Sequence, residues 1–174
     1  MELSQAISLI QSKHILKNEK QTWADLGCGS GVFTNALAHL LKDDSKIFAV
    51  DKNASALKNL PEFHSVSIEK MEADFITEEL NIEKLDGILM ANSLHYVKDK
   101  LSFIKNIERH FKGKGRFLIV EYDAVNANPW VPYPVSFDYL KNLFKEAGYT
   151  FIDKISEAAS RFNRARIYSA FISK

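Results

Sequence analysis

Three aspartates and a run of glycines are the residues whose types and spacing could do chemistry in this chain. Asp25-Leu26-Gly27-Cys28-Gly29-Ser30-Gly31 joins an apolar stretch to an amphipathic one, Asp51 ends a second apolar stretch, and Asp74-Phe75 follows a third. Glycine is needed where backbone must pass close to a ligand or take a positive φ. A helix beginning at such a turn points free N–H groups and partial positive charge at whatever sits there, which suits a carboxylate or a phosphate. An acid at the end of the second strand can accept hydrogen bonds from both hydroxyls of a ribose. One after the third strand can accept from an adenine amino group. The chemistry implied is the holding of a nucleoside-like ligand.

These residues need strands that end along one edge of a sheet, and the patterning supplies them. Thr22-Trp23-Ala24-Asp25-Leu26 reads as a short strand, followed by Val32, Phe33, Ala36, Leu37, Leu40 and Leu41 at helical spacing. Ile47-Phe48-Ala49-Val50 is a buried strand ending at Asp51. Asn53 can cap a helix carrying Ala56, Leu57 and Leu60, which Pro61 stops. Residues 66–70 and 86–91 read as strands three and four, the latter followed by a helix marked by Leu101, Ile104, Ile107 and Phe111. Residues 116–121 form a fifth strand. A loop over 122–135 holds three of the four prolines. Phe137, Leu140, Phe144 and Ala147 mark the last helix, with Ser136 as its cap and Gly148 as its stop. The final strands, roughly 149–157 and 165–172, have no helix between them and must pair antiparallel. Residues 3–16 open the chain as a helix. Strands this apolar are buried on both faces, so the expected fold class is α/β, a doubly wound sheet, mostly parallel, with an antiparallel C-terminal strand.

A chain of 174 residues, 46% of them apolar, fits one domain with one core, taken as 1–174 with an N-terminal helical segment over 1–20. Its formal net charge of +1 gives no global reason to bind nucleic acid or an anionic membrane. Cys28 is the only cysteine, which excludes a disulfide framework and a Cys-rich zinc site, and no metal is expected. No apolar run reaches membrane-spanning length, and Glu2 stands where a signal peptide would be basic. A cytoplasmic protein is the expectation.

The glycine spacing narrows the ligand. A dinucleotide fingerprint needs Gly-x-Gly-x-x-Gly, but here the third glycine comes one position early, at Gly31, and Val32 holds the expected place. No Gly-Lys-Ser/Thr follows, so a phosphate-binding P-loop is excluded. Together with Asp51, Asp74-Phe75 and Asn92-Ser93-Leu94-His95-Tyr96 after strand four, the turn resembles that of the class I S-adenosylmethionine-dependent methyltransferases. The resemblance spans residues 21–173 and is greatest to the short small-molecule members. It implies a Rossmann-like sheet of seven strands with S-adenosylmethionine as methyl donor and S-adenosylhomocysteine as product. By position, Gly27, Cys28 and Gly29 would run beneath the methionine part, and Asp25 would hold its ammonium, directly or through water. Asp51 would clamp the ribose, Lys52 and Asn53 would border the adenine, and Asp74 and Phe75 would bind or stack on it. The backbone of Ala91 and Asn92 would line the sulfonium side.

The acceptor side is less defined. Methyl transfer from a sulfonium is an in-line displacement that positioning and exclusion of water can drive, with a base needed only if the acceptor must lose a proton. His95, expected at the rim beyond strand four, is the candidate base, and Glu121, ending strand five, is a second candidate. Each has a structural alternative: a loop-packing histidine, and a solvated strand end or local salt bridge. Tyr96 could face the sulfonium with its ring or belong to the core. Tyr122, Trp130 and Tyr133 could wall an acceptor pocket or form a dimer contact. Arg161, Arg164 and Arg166, around the final hairpin turn, could hold an anionic acceptor or be solvated. Cys28 has no obvious paired base, and a small residue filling the turn is its simpler role. The segment after strand four lacks an Asn-Pro-Pro-Tyr signature, which argues against nucleobase or glutamine nitrogen as acceptor. Without an insertion after strand five the acceptor site is expected to be open, closed by the N-terminal helix or by a second subunit. The expected activity is methyl transfer to a small molecule. Methylation of RNA or protein, and a non-catalytic cofactor-binding subunit that supports a partner, are the other two readings.

Overall fold

A computed structural model describes residues 1–15, 18–159 and 166–174. In chain order its elements are α1 (Leu3–Ile10), β1 (Thr22–Leu26), α2 (Val32–Leu40), β2 (Lys46–Asp51), α3 (Ala54–Lys58), β3 (Ser67–Glu72), β4 (Gly87–Ala91), α4 (Lys100–Ile107), β5 (Arg116–Tyr122), α5 (Phe137–Glu146), β6 (Phe151–Ala159) and β7 (Arg166–Ser173). The strands form one seven-stranded sheet in the order β3-β2-β1-β4-β5-β7-β6. The first five are parallel, and β7 runs antiparallel to both β5 and β6. The expected α/β sheet with its antiparallel C-terminal strand is what the chain forms.

Alternation along each strand divides the core in two. From β1, Ala24 and Leu26 face a layer that includes Ile88, Met90, Phe117 and Ile119 and is closed by Ile104 of α4 and Leu140 and Phe144 of α5. Trp23 belongs to the opposite layer, with Ile47, Leu89, Leu118 and Val120 under Leu37 of α2 and Leu9 and Ile10 of α1. β1, β2, β4 and β5 are covered on both faces, as their unbroken apolar runs require. The edge strand β3 is largely exposed.

Several boundaries differ from the sequence reading. The first helix stops at Ile10 and not at residue 16. Beyond Ile10 the next positions on its buried stripe are Lys13 and His14, and the Ser12 hydroxyl accepts the His14 N–H at 3.2 Å, a turn that competes with helix. The helix after β4 ends at Ile107, and Glu108–His110 tightens into a 3-10 turn. β3 runs two residues further than expected, and β6 starts two residues later. The caps fall where the side chains predicted. Asn53 Oδ1 accepts from Ser55 and Ala56, Ser136 Oγ accepts from Tyr139, and Gly148 takes φ 87° after α5.

The sheet order reverses between β1 and β4. Chain leaving β1 crosses one way to β2, and chain leaving β4 crosses the other way to β5, so a crevice opens at the carboxyl ends of these strands.

Candidate active site

The turn from β1 to α2 is built on three left-handed glycines, with φ of 78° at Gly27, 53° at Gly29 and 77° at Gly31. Two of them also need to be small. A Cβ on Gly31 would lie 1.9 Å from Leu60 Cδ2, and one on Gly27 would lie 2.7 Å from Ser93 Cβ and 3.2 Å from Phe75. The N–H groups of Gly27 and Cys28 both donate to Val50 O, at 2.8 and 3.0 Å, which draws the turn onto the end of β2. There Asp51 takes it over. Its Oδ2 accepts from Gly29 N and its Oδ1 from Asn53 N, both at 2.8 Å.

This places Gly27, Asp51, Lys52, Asn53, Ala73, Asp74, Phe75, Ile76, Asn92, Ser93 and Tyr96 around one cleft of about 440 Å³. Most of the predicted cofactor residues therefore meet. Ala73, Ile76 and Ser93 join them without having been singled out. Ser93 stands in a quoted segment, but nothing in its type marked it; in the fold its hydroxyl donates to Leu26 O at 2.6 Å and locks the β4 loop against the turn. Asp74 is partly occupied, its Oδ1 accepting the Ile76 N–H at 3.0 Å and its Oδ2 lying 3.8 Å from Lys52 Nζ. Asn92 holds φ 54°, rare for a residue with a Cβ, and its buried Oδ1 has no partner. A larger cavity of about 560 Å³ lies between residues 75–80 and α4. It shares Phe75 and Ile76 with the cleft but includes neither the glycine turn nor Asp51, so the smaller cleft is the one the site residues define.

Two predicted cofactor residues lie behind the cleft wall. Asp25 is fully buried on the α2 side of β1, where Thr34 Oγ1 donates to its Oδ2 at 2.6 Å and its Oδ1 is unpartnered. Burial raises its carboxyl to about 7, against the Thr34 hydrogen bond, and the neighbouring Asp51 charge adds to the rise. The Cys28 side chain is buried as well, and burial, then the charges of Asp25 and Asp51, push its thiol far above the usual range.

On the acceptor side the structure relocates three residues. His95 is not at an open rim but 2% exposed. Glu121 is neither solvated nor facing the cleft edge; it is fully buried, and both of its oxygens serve His95. Oε1 accepts the His95 backbone N–H at 3.1 Å and Oε2 pairs with Nδ1 at 2.7 Å, which leaves Nε2 buried without a partner. Tyr96 is no core residue, being 49% exposed at the mouth of the cleft with its ring 4.4 Å from that of His95. Tyr133 donates its N–H to His95 O at 3.1 Å, and Trp130 is 76% exposed on the same loop. Tyr122 packs instead against the α1–α2 layer, as do Leu3 and Ile7 of α1. Arg161 and Arg164 lie outside the described residues, and the exposed Arg166 pairs with Glu157. Sequence reading missed Lys100, a lysine in a charged run that the fold buries to 3% exposure.

The cleft fits a nucleoside with a charged tail. Two carboxylates and the rings of Phe75 and Tyr96 border it, no atom lies within 4 Å of where a Cβ on Gly29 would stand, and the orphaned Asn92 oxygen awaits a donor. Among the described residues no cluster of His, Cys, Asp and Glu could hold a metal ion, and no helix is long and apolar enough to cross a membrane.

Sheet order, glycine turn and cleft together define a class I S-adenosylmethionine-dependent methyltransferase. A family model described as "Methyltransferase domain" matches residues 17–165, and the chain belongs to that family. Among curated proteins, none matches it. Among solved structures it is similar to a 1,6-didemethyltoxoflavin-N1-methyltransferase from Burkholderia thailandensis, bound to 1,6-didemethyltoxoflavin and S-adenosylhomocysteine (TM-score 0.72, 16% identity, 99% of this chain and 77% of that one). It is also similar to a possible histamine N-methyltransferase from Thermotoga maritima (TM-score 0.71, 15% identity, 99% and 89%). A third likeness is to a methyltransferase from Aquifex aeolicus (TM-score 0.65, 16% identity, 99% and 98%). Identities this low carry the fold and not the acceptor.

Proposed function

We propose that this chain transfers the methyl group of S-adenosylmethionine to a small-molecule acceptor. The observation that carries the proposal is the meeting of Gly27, Asp51, Asp74, Phe75 and Asn92 in one cleft at the sheet's switch point. S-adenosylmethionine supplies a methyl carbon already activated by its positive sulfur, and in-line displacement leaves S-adenosylhomocysteine. The protein's share is to bind, orient and keep water out. Asp51, already fixed by two backbone N–H groups, presents its remaining lone pairs to the ribose hydroxyls. Phe75 and Ile76 border the base, with Asp74, Lys52 and Asn53 at its polar edge. Gly27, Cys28 and Gly29 offer backbone to the methionine part, and Asp25 reaches its ammonium through water. Asn92 and the Tyr96 ring face the sulfonium.

His95 takes the acceptor's proton on Nε2 while Glu121 holds the opposite ring nitrogen. Tyr133 and Trp130 wall the acceptor, with Arg161 as a further candidate. The cytoplasmic placement accords with the unpaired Cys28, residues 1–174 are taken as one domain, and a homodimer would close the open mouth.

Calorimetry with S-adenosylmethionine tests the core of this. Binding should be measurable and should fall at least tenfold in Asp51→Ala. No heat, or binding unchanged in the variant, overturns it. Methyl release onto a metabolite extract, compared with bulk RNA and protein, then tests the acceptor class. Release onto RNA or protein alone defeats the small-molecule assignment, and binding without any release identifies a cofactor-binding subunit.

A further inference from the structure

Three tyrosines that the fold leaves partly in solvent stand beside the cleft. Tyr96 is 49% exposed, Tyr133 38% and Tyr139 46%. Short contacts tie them together. Tyr96 lines the cleft, and its ring lies 4.4 Å from that of His95. Tyr133 donates its N–H to His95 O at 3.1 Å. Tyr133 and Tyr139, the latter on α5, both stand against Lys100, which opens α4 and donates to Val97 O at 2.7 Å. The loop that carries Tyr133 is anchored on either side of it by Val131 and Val135, both buried. The Tyr168 hydroxyl donates to Val135 O at 2.9 Å. The rings are therefore held in place before any ligand arrives, which lowers the cost of binding on them.

Lys100 decides what this surface can hold. The residue is only 3% exposed, and its ammonium lies over both rings, 5.4 Å from the centre of Tyr133 and 5.9 Å from that of Tyr139. Both distances are within reach of a cation–π contact. Among the described residues Lys100 makes no ion pair. Burial, against the field of Glu121, pulls it down to about 8, so it keeps most of its charge at neutral pH. Two tyrosine rings around one cation are what a site for an amine ligand would offer. Here the chain's own ammonium already takes that place. A second cation on the outer faces would share the same ring quadrupoles and be repelled by the first. A flat ring meets no such conflict. It stacks on an outer face, and the ammonium behind draws electron density inward, which favours an electron-rich partner.

We propose that Tyr133 and Tyr139 form a stacking platform for the methyl acceptor, and that Lys100, filling the platform from behind, restricts that acceptor to planar aromatic molecules and turns cationic amines away. The inference rests on the reading of the cleft at Tyr96 as the methyl-donor site, and it narrows the acceptor from a small molecule to an aromatic one. Lys100 touches neither donor nor acceptor and acts through the two rings. Tyr96 joins the platform to the cleft.

Calorimetry on the full chain saturated with S-adenosylhomocysteine tests this with two probes, naphthol as a neutral flat ring and choline as a compact cation. Naphthol should bind more tightly than choline by about tenfold or more. Tyr139→Leu should lose this preference, and Tyr139→Phe, which keeps the ring, should retain it. In Lys100→Ala the order should reverse, because the vacated space between the rings admits choline. Choline bound by the wild type as tightly as naphthol overturns the inference. So does naphthol that gives no heat, or that binds equally well to Tyr139→Leu. A folded Lys100→Ala protein that gains no affinity for choline overturns it too. Should that variant not fold, the Tyr139 pair decides, since that ring is half in solvent. A Tyr139→Leu protein with altered sedimentation and unaltered probe affinity assigns the rings to a contact between copies and overturns it as well. If S-adenosylhomocysteine itself gives no heat, the donor-site reading fails separately, and the same probes on the unliganded chain still judge the platform.

Discussion

Asp51 accepts the N–H of Gly29 at 2.8 Å, so the acid that ends β2 and the turn that follows β1 are one structure before any ligand arrives. The same carboxylate takes the Asn53 N–H at the entry to α3. The ribose clamp proposed for Asp51 is thereby pre-formed, and its loss should have two separable effects.

Asp51→Ala should lower stability by about 1–3 kcal/mol, the range for a lost hydrogen-bonded charged group. It should also weaken cofactor binding more than tenfold. Asp51→Asn, which retains one acceptor oxygen, should keep most of the stability and less of the affinity. Urea unfolding and calorimetry on the two variants separate the effects.

The three turn glycines should rank by what a Cβ would meet. Gly29→Ala has open space and meets only its positive φ, a cost of about 1–2 kcal/mol. Gly31→Ala adds a collision with Leu60, and Gly27→Ala adds one with Ser93, so both should cost more. Chemical denaturation of the set checks the order, and a Gly29→Ala that proved the most damaging would contradict it.

Asp25 should make stability fall with rising pH. Its folded carboxyl sits at about 7 against 3.8 for a free aspartate, so between about 4 and 7 the folded chain holds a proton that the unfolded chain has lost. Its contribution is therefore fullest below about 4 and is lost as pH rises to about 7. Asp25→Asn removes this term and keeps an acceptor for Thr34. The variant's melting temperature relative to wild type should climb across that window and level off above it, by an amount worth a few kcal/mol at most.

Cys28 should be a poor nucleophile. With its thiol buried and pushed up by burial and by Asp25 and Asp51, it should react with a thiol reagent far more slowly in the native protein than in urea. Cys28→Ala should keep turnover within about twofold. Rapid native labelling or a lost activity would restore it as a chemical participant.

Trp130→Ala should change stability by less than about 0.5 kcal/mol, because 76% of the residue is exposed. If the loop walls the acceptor, KM for that acceptor should rise while S-adenosylmethionine binding is unchanged. An unchanged KM would assign Trp130 to another surface role.

The strands, helices, caps and glycine turn were readable in order because each is set by residues within a few positions of one another. Side-chain periodicity reports the buried face, and Asn53 and Ser136 act on N–H groups two or three residues away. The first helix was overextended because apolar residues near helical spacing do not show whether a core exists to receive them. Ile10 has one, whereas Lys13 and His14, next on the same stripe, are not part of it.

The sequence by itself determined the cofactor side: a glycine turn and two acids at strand ends, which a parallel sheet necessarily brings to one edge. Only the tertiary structure decided the surroundings of His95, Glu121 and Lys100. His95 and Glu121 stand 26 residues apart, and nothing in their neighbours announces that they pair, or that both are buried. Nothing in the sequence marks Lys100, and only the fold brings the rings of Tyr133 and Tyr139 to within 5.4 and 5.9 Å of its ammonium. The physical reason is burial. A strand end keeps its chemistry wherever the sheet places it, whereas a charge acquires its protonation and its partner only from the groups that exclude water around it.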